Sequence, residues 1–477
     1  MYRILTAEQM KNADNFTINT LGISQQTLVE RAGFAVAEEI FKRFKGGRVL
    51  VCKGKGNNGK DGQVIENLLS KKHGFNVCGI NIDNGFFKLF EKKYDIIVDC
   101  IFGTGLNKNV EGKYKTAIDL INNSGAFVVS CDIASGLNAN TGMPMGCAVK
   151  ANLTIAIGEY KLGHFLNDGK DYSGNVILKD IGISVWGDDF IKSLSSEDVK
   201  KLFANRKHNS HKGSYPKSLI IGGSKKYVGS AYLSYLALVG LKTGLGYSCL
   251  AIPNCIYNNV ALINPEIILF SLDDDGENVV FNKDALEKFL SFDSISIGMG
   301  MGSSKAVYDI IEYLLNNYEG KLIIDADGLN VLAKYGLDIL QNKKCKTILT
   351  PHIKEFSRLS NYTLNDILNN GIDIARDFAK KYNVILLLKS STSIITDGEE
   401  TYINKTGCSA LAKAGSGDVL SGILAGLVAR DEETLYLVAT SSYLLGTTSE
   451  FASKNQNDYT VTATDIIKEL PNAINSL

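Results

Sequence analysis

Val49-Leu-Val-Cys-Lys53-Gly54-Lys55-Gly56-Asn57-Asn58-Gly59-Lys60-Asp61-Gly62 is the stretch on which the reading of the fold turns. A short apolar run enters a glycine-rich turn, and an apolar-periodic helical pattern leaves it. Glycines at a strand-to-helix turn let backbone amides approach an anion, with the helix dipole behind them. A purely structural tight turn would also satisfy G-x-G-x-x-G. The Asn-Asn pair and Asp61 go further, because they add amide oxygens and a carboxylate that a simple pyrophosphate loop does not need. Upstream, apolar spacing predicts a helix over 24–44 with Ser24 as its N-cap. Downstream, strand-like runs at 76–82, 95–99, 127–132 and 153–157 alternate with helical stretches such as 114–122. This alternation predicts a mostly parallel, doubly wound sheet with helices on both faces. Asp83 ends the second strand, where a dinucleotide-binding fold places its ribose ligand.

Three more loops leave the carboxyl ends of successive strands, the ligand edge of such a sheet. They begin at Asp99-Cys-Ile-Phe-Gly103-Thr-Gly105-Leu, at Asp132-Ile-Ala-Ser135-Gly136-Leu and at Gly158-Glu159-Tyr160-Lys161-Leu-Gly163. Asp99 and Asp132, with side-chain oxygens from Asn58 and Ser135, compose a hard-cation site, or one carboxylate works as an acid/base. Taken singly, either aspartate would equally serve to cap its turn.

From 186 to 211 the sequence turns polar, through Asp188-Asp189, Ser193 to Asp198 and Arg206-Lys207-His208-Asn209-Ser210. It reads as a helix plus a connection carrying little core. A second α/β series follows, with strands at 219–222, 294–298, 322–325, 347–349 and 385–388, and two helices, 418–429 and 433–451, close the chain. Two domains result, 1–190 and 191–477. The sharpest signal in the second is Ala414-Gly415-Ser416-Gly417-Asp418-Val419-Leu420-Ser421-Gly422, opening a helix. Its free amides suit an anion, and Asp418 in the first turn is placed to accept a hydroxyl proton during phosphoryl transfer. Strand ends at Gly222-Gly223-Ser224, Gly298-Met-Gly300-Met-Gly302, Asp325-Ala-Asp327, Thr350-Pro351-His352 and Lys389-Ser390-Ser391-Thr392-Ser393 surround it in chain order.

Composition bounds the rest. At 477 residues the chain exceeds one ordinary core, and 45% hydrophobic with 21% charged residues is a globular profile. Equal counts of 51 basic and 51 acidic residues argue against a nucleic-acid partner. The longest apolar runs are strand-length, short of a membrane span, and no signal-peptide core is visible. Nine cysteines without a CxxC pair read as reduced thiols in a cytoplasm, with no zinc site. The expected partners are small molecules and further copies of the chain, as a homo-oligomer.

The GxGNNGxDG, DxxxGTGL and DIxSGL loops resemble those of the NAD(P)H-hydrate epimerases. His211-Lys212-Gly213, Gly222-Gly223-Ser224, the Gly298 to Gly302 loop, Asp325-Ala-Asp327, Thr350-Pro-His352 and Gly415-Ser-Gly-Asp418 resemble the ADP- or ATP-dependent NAD(P)H-hydrate dehydratases. The resemblance implies a Rossmann-like first domain and a ribokinase-like second one. It implies that Asn57, Asn58, Gly59, Lys60 and Asp61, with Gly103, Thr104, Gly105, Leu106, Asn107, Lys108 and Asn109, contact the hydrated nucleotide. Asp132 would be substrate contact and acid/base, and Asn58, Asp99 and Ser135 would hold a potassium ion. In the second domain it implies Ser230, Gly302, His352 and Asp418 at the hydrate. Lys389 to Ser393 and Gly415, Ser416 and Gly417 would lie at the nucleotide, which brings Mg2+ with it. Lys60 and Ala134 depart from the epimerase pattern, where Gly and Pro are usual. Pro216, Ile353-Lys354 and Lys413-Ala414 depart from the dehydratase pattern. The alternative is a ribokinase-like small-molecule kinase with a non-catalytic N-terminal nucleotide-binding or scaffold domain. That alternative leaves the Asn-Asn-Gly-x-Asp loop unexplained.

Overall fold

The computed structural model describes the whole chain except residues 86–89, 188, 205 and 241–243 and the side chains of 239, 240 and 455. Asp188 of the polar connection is thus outside the described residues. Two compact units result, Tyr2–Ile191, and Lys192–Leu477 with Met1.

In the first unit the helix Gln25–Arg43 starts at Ser24, whose hydroxyl accepts from Thr27 N at 3.1 Å. The sheet has six parallel strands, ordered Phe75–Asn81, Gly47–Lys53, Ile96–Cys100, Phe127–Cys131, Leu153–Ile157 and Asn175–Lys179. Successive residues of a strand feed opposite faces. Val49 and Val51 join one core and Leu50 and Cys52 the other, which is why the strand reads as an unbroken apolar run. The chain leaves Gly47–Lys53 towards one edge and resumes beside it on the other with Ile96–Cys100. The crevice for a ligand therefore opens at the carboxyl ends of these two strands. Gly54 is required there, since a Cβ on it would stand 2.0 Å from the Ile101 carbonyl oxygen.

In the second unit the strand order is Ile268–Leu272, Tyr247–Pro253, Lys217–Ile221, Ser294–Ile297, Lys321–Ile324, Lys346–Leu349 and Ile385–Leu388, all parallel. Ile394–Thr396 and Thr401–Ile403 then add antiparallel, and Lys192 of the strand Ile191–Ser193 pairs with Tyr402. Here the reversal of winding lies between Lys217–Ile221 and Ser294–Ile297, next to the Gly222 and Gly298 turns. The helices Val228–Gly240, Ser416–Val428, Thr434–Asn455 and Ala463–Asn475 contribute Tyr235, Ile423, Leu444 and Leu470 to one core.

Three expectations need correction. The connection after 186 is not bare of core: Leu194, Val199 and Leu202 are buried in the second unit's cluster, and Ser195 caps the helix Ser196–Lys200. Its outward charges hid three inward apolar residues. A third closing helix, Ala463–Asn475, exists although Pro471 inside it reads as a breaker. The strand expected to include Asp132 stops at Cys131, because Asp132 turns into the left-handed region with φ 67°. Among the described residues no helix is long and apolar enough to cross a membrane, and the nine cysteines are free thiols.

Candidate active sites

In the first unit Asp99 is fully buried and ties two loops together. Its carboxylate accepts from Ser130 Oγ at 2.8 Å, Ser135 N at 2.9 Å, Ser135 Oγ at 2.6 Å and Ile101 N at 3.2 Å. Burial pushes the carboxyl up, and these hydrogen bonds offset only part of that. Asn58 Nδ2 donates to the carbonyls of Phe102 at 2.7 Å and Cys131 at 3.2 Å. Its Oδ1 is buried and has no hydrogen-bond partner among the described residues. Ser135 Oγ also accepts from Phe102 N at 2.8 Å. Of the three residues expected to hold a cation, Asp99 and Ser135 are hydrogen-bonded to each other and Asn58 shares Phe102 with Ser135, and the buried Asn58 amide oxygen is left unsatisfied.

The left-handed turn at Asp132 swings its carboxylate onto the Lys161 ammonium and Ile157 N, the latter at 3.2 Å. Lys161 is fully buried and also donates to the Ile157 carbonyl at 2.6 Å. A buried ammonium is tolerated only when paired and hydrogen-bonded in this way. His164 Nδ1 accepts from Lys161 N at 3.1 Å, so its proton sits on Nε2, which donates to the Asp132 carbonyl at 2.8 Å. Burial, then the Lys161 charge, lowers the imidazole to about 4, and it is neutral at pH 7. Two more carboxylates face this pair. Burial, then Asp132 and Asp14, pushes Asp61 up to about 8. Burial and Asp132 push Asp14 up to about 6, with Lys161 opposing.

Lys161, His164 and Asp14 are the residues that sequence reading did not single out as site members. Lys161 lies within the quoted strand-end loop, and His164 directly follows it. The one available signal for Asp14 is a carboxylate on the apolar Met10–Ala13–Thr17 face of the helix Ala7–Asn19. The remaining expected contacts are arranged around the pair. Asn57 Oδ1 accepts from Lys60 Nζ at 3.2 Å, and a Cβ on Gly59 would stand 1.9 Å from the Gly54 carbonyl. A Cβ on Gly103 would lie 3.7 Å from that of Asn58, bringing the Gly103 loop alongside, with Gly105, Asn107, Lys108 and Asn109 exposed. Asp83 is not free for a ribose, since Lys113 Nζ at 2.7 Å and the Tyr114 hydroxyl at 2.9 Å occupy its carboxylate.

In the second unit the helix Ser416–Val428 begins on Gly415, left-handed at φ 94°, with Asp418 in its first turn. Burial and the Asp325 charge push Asp418 up to about 7, opposed by Lys389 and a hydrogen bond from Ser230. Lys389 Nζ bridges to Asp325 Oδ1 at 2.8 Å, and Ser421 Oγ donates to Asp325 at 2.6 Å. Burial would raise Asp325, but Lys389 and Ser421 outweigh it and hold the carboxyl below its usual range. A Cβ on Gly417 would stand 3.5 Å from Lys389 Nζ, so the ammonium faces the helix N-terminus. Gly302 N donates to Asp327 at 2.8 Å. His352 caps the helix Ile353–Ser360, its Nδ1 accepting from Glu355 N at 3.1 Å, and its backbone bridges to Lys389. Of the 389–393 loop, Lys389 is the group aimed at the anion hole. The Ser390 hydroxyl donates to the Thr392 carbonyl at 2.6 Å, Thr392 is buried, and the Ser393 carbonyl accepts from Asn404 N at 3.0 Å. Ser416 Oγ is buried with no partner among the described residues.

A family model described as NAD(P)H-hydrate dehydratase matches residues 218–472, and one described as YjeF-related protein N-terminus matches residues 70–163. The bifunctional NAD(P)H-hydrate repair enzyme Nnr of Dictyoglomus turgidum is 31% identical, over 100% of this chain and 99% of its own. The chain belongs to the bifunctional NAD(P)H-hydrate repair enzymes. Another member, from Archaeoglobus fulgidus, is 31% identical over 95% of each chain. Among solved structures, a hypothetical protein from Streptococcus mutans has a TM-score of 0.52 at 26% identity, covering 60% of this chain and 99% of that one. A ribokinase-like protein from Enterococcus faecalis (TM-score 0.51, 22% identity, 60% and 96% covered) shares the fold. So does the ADP/ATP-dependent NAD(P)H-hydrate dehydratase from Bacillus subtilis, co-crystallised with ATP/Mg2+ (TM-score 0.51, 24% identity, 60% and 98% covered). The family's two domains are accordingly a Rossmann-like and a ribokinase-like α/β unit.

Proposed function

We propose that the enzyme repairs hydrated NADH and NADPH in two steps. Residues 1–190 interconvert the R and S hydrates, and residues 191–477 dehydrate the S form at the expense of ADP or ATP. The observation that carries the reading is Asp418, a carboxylate poised near neutrality in the first turn of an anion-binding helix, with Lys389 facing the same turn.

Asp418 takes the proton of the hydrate hydroxyl as that oxygen attacks the terminal phosphorus of the donor. Lys389 and the amides after Gly415 stabilise the transferring group. The phosphorylated oxygen then leaves as phosphate while a neighbouring C–H proton is lost, restoring the ring double bond. Ser230, Gly302 and His352 border the hydrate, and Gly415 to Gly417 with Lys389 to Ser393 border the donor. The carboxylate oxygens of Asp327 and Glu355 on this edge suit Mg2+, a hard cation that would offset the donor's charge.

In the first unit Asp132, paired with Lys161, exchanges protons with the hydrated carbon's substituents. Asn57 to Asp61 and Gly103 to Asn109 bind the nucleotide. The unsatisfied Asn58 Oδ1, with Asp99 and Ser135, fits a potassium ion, which would bring positive charge to the phosphate loop. The test is to incubate acid-hydrated NADH with the protein, Mg2+ and ADP or ATP, and follow the return of dihydronicotinamide absorbance. No return with either donor rejects the reading.

A further inference from the structure

The chemistry of epimerisation needs two proton carriers, and Asp132 is one. At the carbon bearing the hydroxyl, the C–O bond must break on one face and form again on the other. Breaking it calls for an acid; forming it from water calls for a base. Asp132, ion-paired with Lys161, is placed to be the base.

Two half-buried carboxylates nearby have no hydrogen bond or ion pair among the described residues, Asp61 and Asp14. Their placement follows from the fold. Asp61 lies three residues after Asn58 on the helix Asn57–Ser70, hence on the same face. That face is fixed by the Asn58 amide on the carbonyl of Cys131, the residue before Asp132. Asn58 itself is buried and leaves its Oδ1 unpartnered in the same crevice. Asp14 lies one turn after Met10 on the helix Ala7–Asn19, and the Met10 methyl packs 3.0 Å from the Cβ position of Gly158, at the head of the loop carrying Lys161. Asp61 and Asp14 thus both come within electrostatic reach of Asp132, and clustered carboxylates do not all ionise together.

We propose that Asp61 is the proton donor of the epimerisation, working opposite Asp132, and that Asp14 is a positioning residue that keeps the proton on Asp61. This rests on the epimerase reading above. The Asp61 proton passes to the hydroxyl oxygen, and the C–O bond breaks with its electron pair leaving as water. The ring nitrogen's lone pair forms the C=N bond of an iminium. Water then adds to the opposite face, the C=N pair returns to nitrogen, and the water proton passes to the Asp132 carboxylate. No oxidant or reductant is consumed. Afterwards Asp132 carries the proton that Asp61 has lost, so the reverse conversion runs with the roles exchanged. The groups facing Asp61 are Asp14 and Asp132, which favour its neutral form, Lys60, which opposes them, and the buried thiols Cys100 and Cys131. Lys161 acts on Asp14 from the other side.

The test uses the full-length protein and purified R hydrate of NADH without nucleotide donor, with epimers separated by chromatography. Wild type should lose epimerase kcat above a midpoint near pH 8, as the Asp61 proton is lost. Asp61→Asn should lower kcat by about 10²–10⁴-fold, a larger change than any rise in KM from the lost nucleotide contact, while dehydration of the S hydrate with ATP stays at the wild-type rate. Asp14→Asn removes a negative neighbour, so the high-pH limb should move to lower pH, and Asp14→Glu should restore it. A raised KM with unchanged kcat in Asp61→Asn would make Asp61 a binding group only and overturn the proposal. So would an unmoved limb in Asp14→Asn, or a wild-type profile flat from pH 6 to 10, a measurement needing no variant. A wild type that does not epimerise at all rejects the epimerase reading instead, which separates the two failures.

Discussion

Asp418→Asn should abolish dehydration, by about 10²–10⁴-fold, while the R and S hydrates still interconvert. Turnover near wild type would place the base elsewhere. Because Asp418 works ionised and has been pushed up to about 7, kcat/KM for dehydration should fall about tenfold per pH unit below 7. Stability has the opposite dependence. The folded chain retains a proton on Asp418 that the unfolded chain gives up near the ordinary carboxylate value, so stability falls as pH rises from about 4 through 7. Asp418→Asn should therefore melt higher than wild type at pH 8, by scanning calorimetry, although it is inactive. Asp418, Asp132 and Asn58 were legible in the sequence because each adjoins a glycine turn whose amides or oxygens already point to a ligand. Lys161, His164 and Asp14 were not. Nothing local says that Lys161 is buried; that follows from the strand-end loop folding back onto an aspartate 29 residues earlier.

At the scale of elements, the helix Ser416–Val428 owes its position to a backbone contact with Val228–Gly240. A Cβ on Gly422 would stand 2.0 Å from the Ser234 carbonyl oxygen. Gly422→Ala should destabilise the second unit by about 1–3 kcal/mol through overpacking and weaken dehydration. Epimerisation should be unaffected, with urea unfolding and both assays as the measurement. Equal loss of the two activities would contradict this. Buried parallel strands such as Ile96–Cys100 were legible because burial on both faces makes them continuous apolar runs. The hairpin of Ile394–Thr396 and Thr401–Ile403 escaped notice, each strand being too short to show alternation. The helix Ala463–Asn475 was masked by Pro471, which its surroundings accommodate without ending the helix.

At the scale of the whole molecule, fragments 1–190 and 191–477 should each retain one activity, alone as well as mixed. Each has its own run of parallel strands and its own core. A cut after Ser193 should do worse for dehydration. It strips the strand Ile191–Ser193 from Tyr402 and leaves the buried Leu194 at a free end. Activity appearing only on mixing the 1–190 and 191–477 fragments would refute self-sufficient sites. The two units also make opposite demands on their acids, since Asp418 is useful bare and Asp61 is useful protonated. Repair therefore behaves as a relay whose slow leg changes over with acidity. Below about pH 7 the second runner lags and S hydrate queues up before it; above about pH 8 the first runner lags and R hydrate is stranded at the start. The make-up of the leftover hydrate, read on one chromatogram, then tells which leg is holding up the traffic.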